Sequence, residues 1–413
     1  MEVLYKVSVS TGKMQVWKAW TNKELIICSY GQLGGKMQES EVTAEAKNVG
    51  RSNATTAEEQ AEVELKALYK AQCDNKHYRY TQEEAQAFSD SNKEPRKILD
   101  YKKGWKKMSP ILLTSVKENG SRACVLEGVC HSKIGKPEEI KVPHLRAVVD
   151  ELGELAHFDA EVYADGLSLQ RVRSAWIKPN KTDKDIITMA KKRAKERGEE
   201  VPTPDGNIEL QDAIKYLGYC PRNDVTLLRF NIFDIPDTTG KPFTERVACI
   251  KRFRDLVESK GLGVYFEYLL PVPTHSHEER IQMVEKVTAQ GKEGLVHYEP
   301  EGIYEFGKRS SNAQKSKLRF DGEALVLSVV KDKKGNGTLE CVAADVLDNV
   351  KFKCVMKVDR RDGKSYSKSY ESMLELVGKW ITFSYEELSD KGIPTKPVGE
   401  LERDCDDSGD PLN

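Results

Sequence analysis

The sequence predicts a multidomain α+β chain with a small strand-then-helix unit first, a mixed centre, and an all-β barrel last. Three observations lead there. Short apolar runs near the N-terminus give way to apolar residues at helical spacing. From 97 to 320 strand and helix patterns alternate. From 321 to 403 the pattern is strand throughout.

Residues 1–82 form the first unit. Val3–Val9, Met14–Trp20 and Leu25–Tyr30 read as strands, and Tyr30-Gly31-Gln32-Leu33-Gly34-Gly35-Lys36 as a turn. Thr55-Thr56-Ala57-Glu58 offers a capping box, with Thr55 as N-cap and Glu58 at the third helical position. Ala61, Leu65, Leu68 and Tyr69 then mark one face of a helix. Residues 83–96 are polar and contain Pro95, the pattern of a linker. Within 97–320, residues 179–220 read as a charged helical insertion whose turn cluster is Pro202-Thr203-Pro204-Asp205-Gly206. After 321, Ala324–Val330, Leu339–Ala344, Val350–Val358 and Trp380–Tyr385 read as strands. Roughly five short strands in one such stretch suit an OB-fold. Residues 404–413 are an acidic tail.

Composition sets the outer limits. At 413 residues, 38% hydrophobic and 32% charged, the chain suits two or three domains with real cores rather than disorder. Apolar runs such as Ala324–Val330 are far too short for a membrane helix, and Met1–Lys6 lacks a signal-peptide pattern. Nine cysteines without a Cys-x-x-Cys pair point to reduced thiols and away from a structural zinc. The net charge of -1 conceals basic runs at 102–107 and 191–195 and an acidic end at 400–410.

One ordered set of residues carries chemistry: Lys117-Glu118-Asn119-Gly120-Ser121-Arg122, Phe158-Asp159-Ala160-Glu161, Phe233-Asp234, Glu293-Gly294-Leu295-Val296 and Lys315-Ser316-Lys317. Its order and charge types suit covalent transfer of a nucleotide through a lysine. Lys117 is the candidate nucleophile. An ammonium cannot attack phosphorus, so burial and nearby cations must discharge it. Lys315 and Lys317, two apart on a strand, share one face and can supply those cations while holding phosphates. Arg122 offers a planar fork suited to phosphate. Glu161 and Glu293 are the candidate ligands for Mg²⁺, which takes a few carboxylates plus water and phosphate oxygens. An acid at the head of the apolar run Gly294-Leu295-Val296 needs a partner, which favours function for Glu293.

This set resembles the ATP-dependent polynucleotide ligases, most closely the DNA ligases of the covalent nucleotidyltransferase superfamily, over residues 95–403. The resemblance implies an adenylyltransferase domain over 97–320, with ATP-grasp-like antiparallel sheets plus helices, and an OB-fold over 321–403. It implies ATP and Mg²⁺, or Mn²⁺ in its place, a lysyl-AMP intermediate, and nicked double-stranded DNA as partner. It also implies a monomer of the small viral or phage type, free of membranes, in the cytoplasm or a host cytoplasm. Arg122 would contact ribose and phosphate, and Phe233 would stack on adenine. Lys308-Arg309-Ser310 precedes the lysine pair as in ligases, which makes Arg309 a nucleotide-site residue. Lys133, in Ser132-Lys133-Ile134-Gly135-Lys136, stands where a ligase usually has Arg. Lys396, in Gly392-Ile393-Pro394-Thr395-Lys396-Pro397, is the candidate contact to pyrophosphate. Asn119 departs from the family's usual Asp. The Tyr30–Lys36 turn and the Thr56-Ala57-Glu58-Glu59-Gln60-Ala61 helix start resemble the WGR domain, a DNA-binding module, with Tyr30 and Gln32 replacing its Trp and Arg.

Two rivals stand beside this reading. RNA ligases and capping guanylyltransferases share the lysine chemistry, although the capping enzymes' Arg-x-Asp-Lys ending is not found here. From another class, a catalytically silent nucleic-acid-end binder would keep the scaffold alone.

Overall fold

The computed structural model describes residues 2–203, 207–332, 335–343, 350–357 and 367–405. Pro204-Asp205-Gly206, the larger part of the turn expected at 202–206, and nearly all of the acidic tail lie outside these residues, as do Ala344 and Val358 at the ends of two expected strands. The chain divides into two compact units: Lys93–Leu318, and Met1–Asn92 grouped with Arg319–Asn413. Among the described residues no helix is long and apolar enough to cross a membrane.

The N-terminal sheet is an antiparallel meander of β1 (Val3–Val7), β2 (Met14–Asn22), β3 (Leu25–Gln32) and β4 (Met37–Thr43). The last strand, Met-Gln-Glu-Ser-Glu-Val-Thr, was missed because its mostly exposed polar residues leave little apolar signal. The helix Ala57–Lys76 lays Leu65, Leu68 and Tyr69 over Leu4, Trp17 and Ala19. Its cap is Thr56 with Glu59, one residue later than expected. Each threonine has a glutamate three residues on. Thr55 is taken out of contention by backbone bonds in both directions with Lys47, at 2.9 and 3.2 Å. Within the segment expected as a linker, Gln82–Asp90 is a helix with its own capping box, Thr81 with Glu84.

The central unit holds two five-stranded sheets. The first has the order β11-β10-β9-β7-β8: β7 (Ser121–Leu126), β8 (Val129–His131), β9 (Phe158–Tyr163), β10 (Arg229–Asp234) and β11 (Phe266–Tyr268). The second has the order β12-β6-β13-β14-β5: β5 (Lys97–Asp100), β6 (Leu112–Lys117), β12 (Val272–Thr274), β13 (Gly294–Tyr298) and β14 (Arg309–Ser316). Pairing is mostly antiparallel, with parallel pairs at β10/β11 and β14/β5. The helices Pro143–Leu152, Leu169–Ile177 and Phe243–Ser259 bury Val148, Val172 and Ile250 in a core shared with Phe158 and Phe230 of the first sheet. The helix His277–Ala289 packs Val284 and Val287 on Leu295 of β13. In the expected insertion, Asp183–Arg197 and Leu210–Leu217 are helices with a small core of their own, including Ile186, Ala190 and Leu217.

The C-terminal strands close into a barrel of order β15-β16-β17-β19-β18: β15 (Phe320–Lys331), β16 (Gly337–Ala343), β17 (Lys351–Met356), β18 (Trp380–Tyr385) and β19 (Val398–Glu402). Ile381 and Phe383 of the expected strand at 380–385 lie in the barrel core, both fully buried. β17 and β19 run parallel, so the barrel closes without an open edge between them.

Candidate active site

The segment Glu118–Gly120 joins the two central sheets, because β6 belongs to one and β7 to the other. Lys117 therefore ends one sheet while Arg122 begins the other. Gly120 makes this crossing tight: a Cβ there would lie 2.2 Å from the Val162 carbonyl oxygen and 2.9 Å from Glu161 Cγ. Only glycine lets the backbone approach so closely.

On the second sheet, Lys117 pairs with Gly294, and Leu295 pairs with Ser316. Continuing that register sets Lys117, Gly294 and Lys317 in one row. Gly294 has φ +151°, and an added Cβ would sit 2.2 Å from the Ser316 carbonyl oxygen. With no side chain in the middle of the row, the lysines on either side both reach Glu293. Lys117 Nζ donates to Glu293 Oε2 and Lys317 Nζ donates to Glu293 Oε1. Lys315, two residues earlier on β14, lines the same cavity as Lys117. The sequence led us to expect lysines crowding Lys117; the structure inserts a carboxylate between Lys117 and Lys317.

On the first sheet, Glu161 of β9 lies between Arg122 and Asn231 in the strand register. Its Oε1 accepts the Gly120 N–H at 3.1 Å. Burial pushes its carboxyl up to about 7, with nearby Glu293 adding to the rise and Lys117 and Arg122 opposing it. Arg122 donates to both oxygens of Asp159, at 2.9 and 2.5 Å, and to the Arg96 carbonyl at 2.6 Å. Tyr304 donates its hydroxyl to the same Asp159 at 2.6 Å. Phe233 sits where the β9/β10 register slips between Ile232 and Asp234. Such a bulge re-aims a side chain, and Phe233 lies 5.7 Å below the Arg122 guanidinium, in the cavity wall.

These groups surround one cavity of about 190 Å³, walled by Ile98, Val116, Phe233 and Val296 among apolar residues. That is smaller than the roughly 300–1,000 Å³ typical of ligand pockets, as expected where the charged walls are paired with each other. Lys117, Arg122, Glu161, Phe233 and Lys315 line it; Glu293 joins it through its bond to Lys117, and Lys317 through its bond to Glu293. Lys133, on the turn after β8, and Arg309, at the head of β14, are exposed and outside the lining. Lys396 belongs to the barrel, where it pairs with Glu386 at 2.7 Å.

Sequence reasoning missed four groups. Arg96, within the expected linker, is 2% exposed and donates to Asp234 at 2.7 Å. Arg246, fully buried, grips the same Asp234 at 2.8 and 3.2 Å. Glu118 and Lys292 pair beside the nucleophile at 2.9 Å. An arginine in a helix or linker carries no local mark of burial, so no signal was available for the first two. For the last two, the signal was there: Lys292-Glu293 and Lys117-Glu118 are complementary charge pairs.

Two carboxylates from facing strands suit Mg²⁺, which commonly takes one or two carboxylates and completes its shell with water and substrate phosphates. Among the described residues no group of three or more His, Cys, Asp or Glu is placed to cage a metal alone.

No protein-family model matches the chain, and no curated protein sequence matches it. Solved structures do. One, from work on DNA binding with a minimal scaffold by Lig E DNA ligases, aligns at TM-score 0.51 and 18% identity over 75% of this chain and 98% of that one. A second, Pmar-Lig_Pre, aligns at 0.52 and 14% identity over 78% of this chain and 72% of that one. A third, Chlorella virus DNA ligase-adenylate, gives 0.39 and 20% identity over 76% and 99%. In fold, the two-sheet central unit and the closed five-stranded barrel match a DNA ligase adenylation domain and OB-fold. The chain has the fold of the ATP-dependent DNA ligases.

Proposed function

We propose that the chain is an ATP-dependent DNA ligase that seals 3′-hydroxyl/5′-phosphate nicks. The observation that carries this reading is the placement of Lys117 at the end of β6, next to the segment joining two sheets, bonded to Glu293 and lining the cavity shared by Arg122, Glu161, Phe233 and Lys315. Lys117 Nζ attacks the α-phosphorus of ATP, a P–N bond forms, the α–β anhydride breaks and pyrophosphate leaves. Glu293, already bonded to Nζ, is placed to hold the proton that the amine must lose. AMP then passes from Lys117 to the 5′-phosphate at a nick. The 3′-hydroxyl attacks that phosphorus and AMP departs.

Phe233 supplies a flat apolar face for the adenine. Arg122 and Lys315 face the ribose and phosphates, and Lys317 holds Glu293 against Lys117. Glu161 and Glu293 would hold Mg²⁺, or Mn²⁺, which supplies charge neutralisation on the phosphates. Catalysis in this arrangement is chiefly positioning and charge stabilisation. Lys133 and Arg309, exposed outside the cavity, suit contacts to the nick rather than to the nucleoside. Lys396, in the barrel, would contact the pyrophosphate.

The working domain division is 1–82 as a WGR-like DNA-binding module, 83–96 as linker, 97–320 for adenylyl transfer, 321–403 for the OB barrel and 404–413 as tail. The protein would act as a monomer on nicked duplex DNA.

Intact mass after incubation with ATP and Mg²⁺, for wild type and Lys117→Ala, tests the reading. Wild type should gain one AMP and the variant none, with GTP giving no gain. Nicked DNA should then discharge the adduct and be sealed. A folded wild type that gains nothing would favour the silent end binder. Discharge on nicked RNA alone would favour an RNA ligase.

A further inference from the structure

We infer that Glu118 and Lys292 are positioning residues for the Lys117–Glu293 pair, acting as a latch on the end of the strand ladder that carries both. The inference rests on the proposed role of Lys117, but part of its test does not.

β6 ends at Lys117 and β13 begins at Gly294, so Glu118, Lys292 and Glu293 all lie just past the regular pairing. One backbone bond extends it, from Glu293 N–H to the Lys117 carbonyl at 3.2 Å. Strand ends of this kind open at low free energy unless something holds them. Here two successive residues on each side cross-pair by charge. Lys117 reaches Glu293, while Glu118 reaches back to Lys292, with Lys292 Nζ donating to Glu118 Oε1 at 2.9 Å. Lys292 also donates to Asp165 at 3.0 Å and lies 5.0 Å over the Tyr163 ring, both on the other sheet's side of the segment. Lys292 thus ties the nucleophile's strand, its own strand and the end of β9 together.

The burial is uneven in a telling way. The Glu118 side chain is 5% exposed and that of Asp165 87%. An exposed ion pair adds little, whereas a buried carboxylate stripped of its partner is strongly disfavoured. Glu118 therefore depends on Lys292, and the crossing backbone moves with it. The Lys117 ammonium also donates to the Glu118 carbonyl at 3.4 Å, so a shift of the Glu118 backbone is felt at the nucleophile. The effect of the latch is local to the two strand ends.

The full chain is compared with Lys292→Met, Lys292→Arg, Glu118→Gln and the Glu118→Gln/Lys292→Met double variant. Misplacement of a nucleophile by about 1 Å costs on the order of 100-fold. Single-turnover adenylation should therefore slow by about 10- to 100-fold in Lys292→Met and Glu118→Gln, with KM for ATP within about twofold. The double variant should be no slower than the worse single, because both remove one pair. Lys292→Arg, which keeps the charge, should recover most of the rate. Independently of activity, amide hydrogen exchange at Glu293 should accelerate in Lys292→Met and return toward wild type in Lys292→Arg. Unchanged exchange at Glu293 overturns the latch whether or not the protein adenylates. Normal exchange control with an additive double variant overturns the claim that the pair acts as a unit. A wild type that shows the exchange pattern but never gains AMP leaves the latch standing and removes the proposed function instead.

Discussion

Replacing Glu161 by Gln should stabilise the protein at alkaline pH and leave it almost unchanged at acid pH. Burial raises the Glu161 carboxyl from its ordinary 4.5 to about 7, with Glu293 reinforcing the rise and Lys117, Arg122 and the Gly120 N–H opposing it. Between these values the folded chain holds a proton that the unfolded chain has released. Its stability must therefore fall as pH rises through that window, and the penalty is complete above 7. At about 1.4 kcal/mol per tenfold change in proton affinity, the full penalty is about 3 kcal/mol. Gln has the same shape, keeps an oxygen for the Gly120 N–H, and never ionises. Urea unfolding of both proteins at about pH 5 and about pH 8, compared at matched m, measures the effect. The advantage of the variant should grow by about 2–3 kcal/mol between the two conditions. A difference that stays constant with pH would show that Glu161 titrates normally and is neither desolvated nor crowded by Glu293.

Gly294→Ala puts a Cβ 2.2 Å from the Ser316 carbonyl oxygen at φ +151°. It should lower stability by about 2–4 kcal/mol in thermal or urea unfolding. Asp234→Ala leaves the buried Arg96 and Arg246 guanidinium groups without their carboxylate. That should cost about 3–5 kcal/mol, while Asp165→Ala, at an exposed partner, should cost less than about 1 kcal/mol. Equal effects in the two unfolding curves would contradict the burial argument. Lys317→Met removes one of two donors from Glu293. Covalent AMP uptake at Lys117, followed by mass over time, should slow by about 10- to 100-fold, and an unchanged rate would remove Lys317 from the site.

Periodicity made the barrel legible. Trp380–Tyr385 was legible as a strand with the limits it has, since a strand's side-chain period of two is visible locally. The helix Ala57–Lys76 was legible by its capping box, but adjacent threonines with equal claims left its start one residue adrift until the Lys47–Thr55 bonds decided it. β4 and β19 escaped because half-exposed edge and closing strands need little apolar content. Lys117, Arg122, Glu161, Phe233 and Lys315 meet at the cavity from five different strands, and Glu293 is bonded to Lys117 and Lys317 beside it. What sequence could not show was pairing. That Arg122 is held by Asp159, or that Glu293 stands between two lysines, depends on strand register across residues 24 to 176 positions apart.

That pairing changes what the cavity must do to accept a polyanion. The cations in and around the cavity are already paired with acids: Lys117 and Lys317 share Glu293, Arg122 has Asp159, Arg96 has Asp234 and Lys292 has Glu118. Binding of phosphates at Lys117 and Lys317 has to take those ammonium groups from Glu293. A carboxylate so released, beside the buried Glu161, is disfavoured unless it is protonated or gains another cation. Anion affinity and the charge state of these two glutamates are therefore thermodynamically linked, and by reciprocity whatever stabilises the freed carboxylates tightens the hold on phosphate by the same factor. Self-neutralisation also explains how so many charged groups can converge around a small cavity without destabilising the sheets that carry them. The glycine rows at 120 and 294 bring opposite charges close enough to satisfy one another until a ligand separates them.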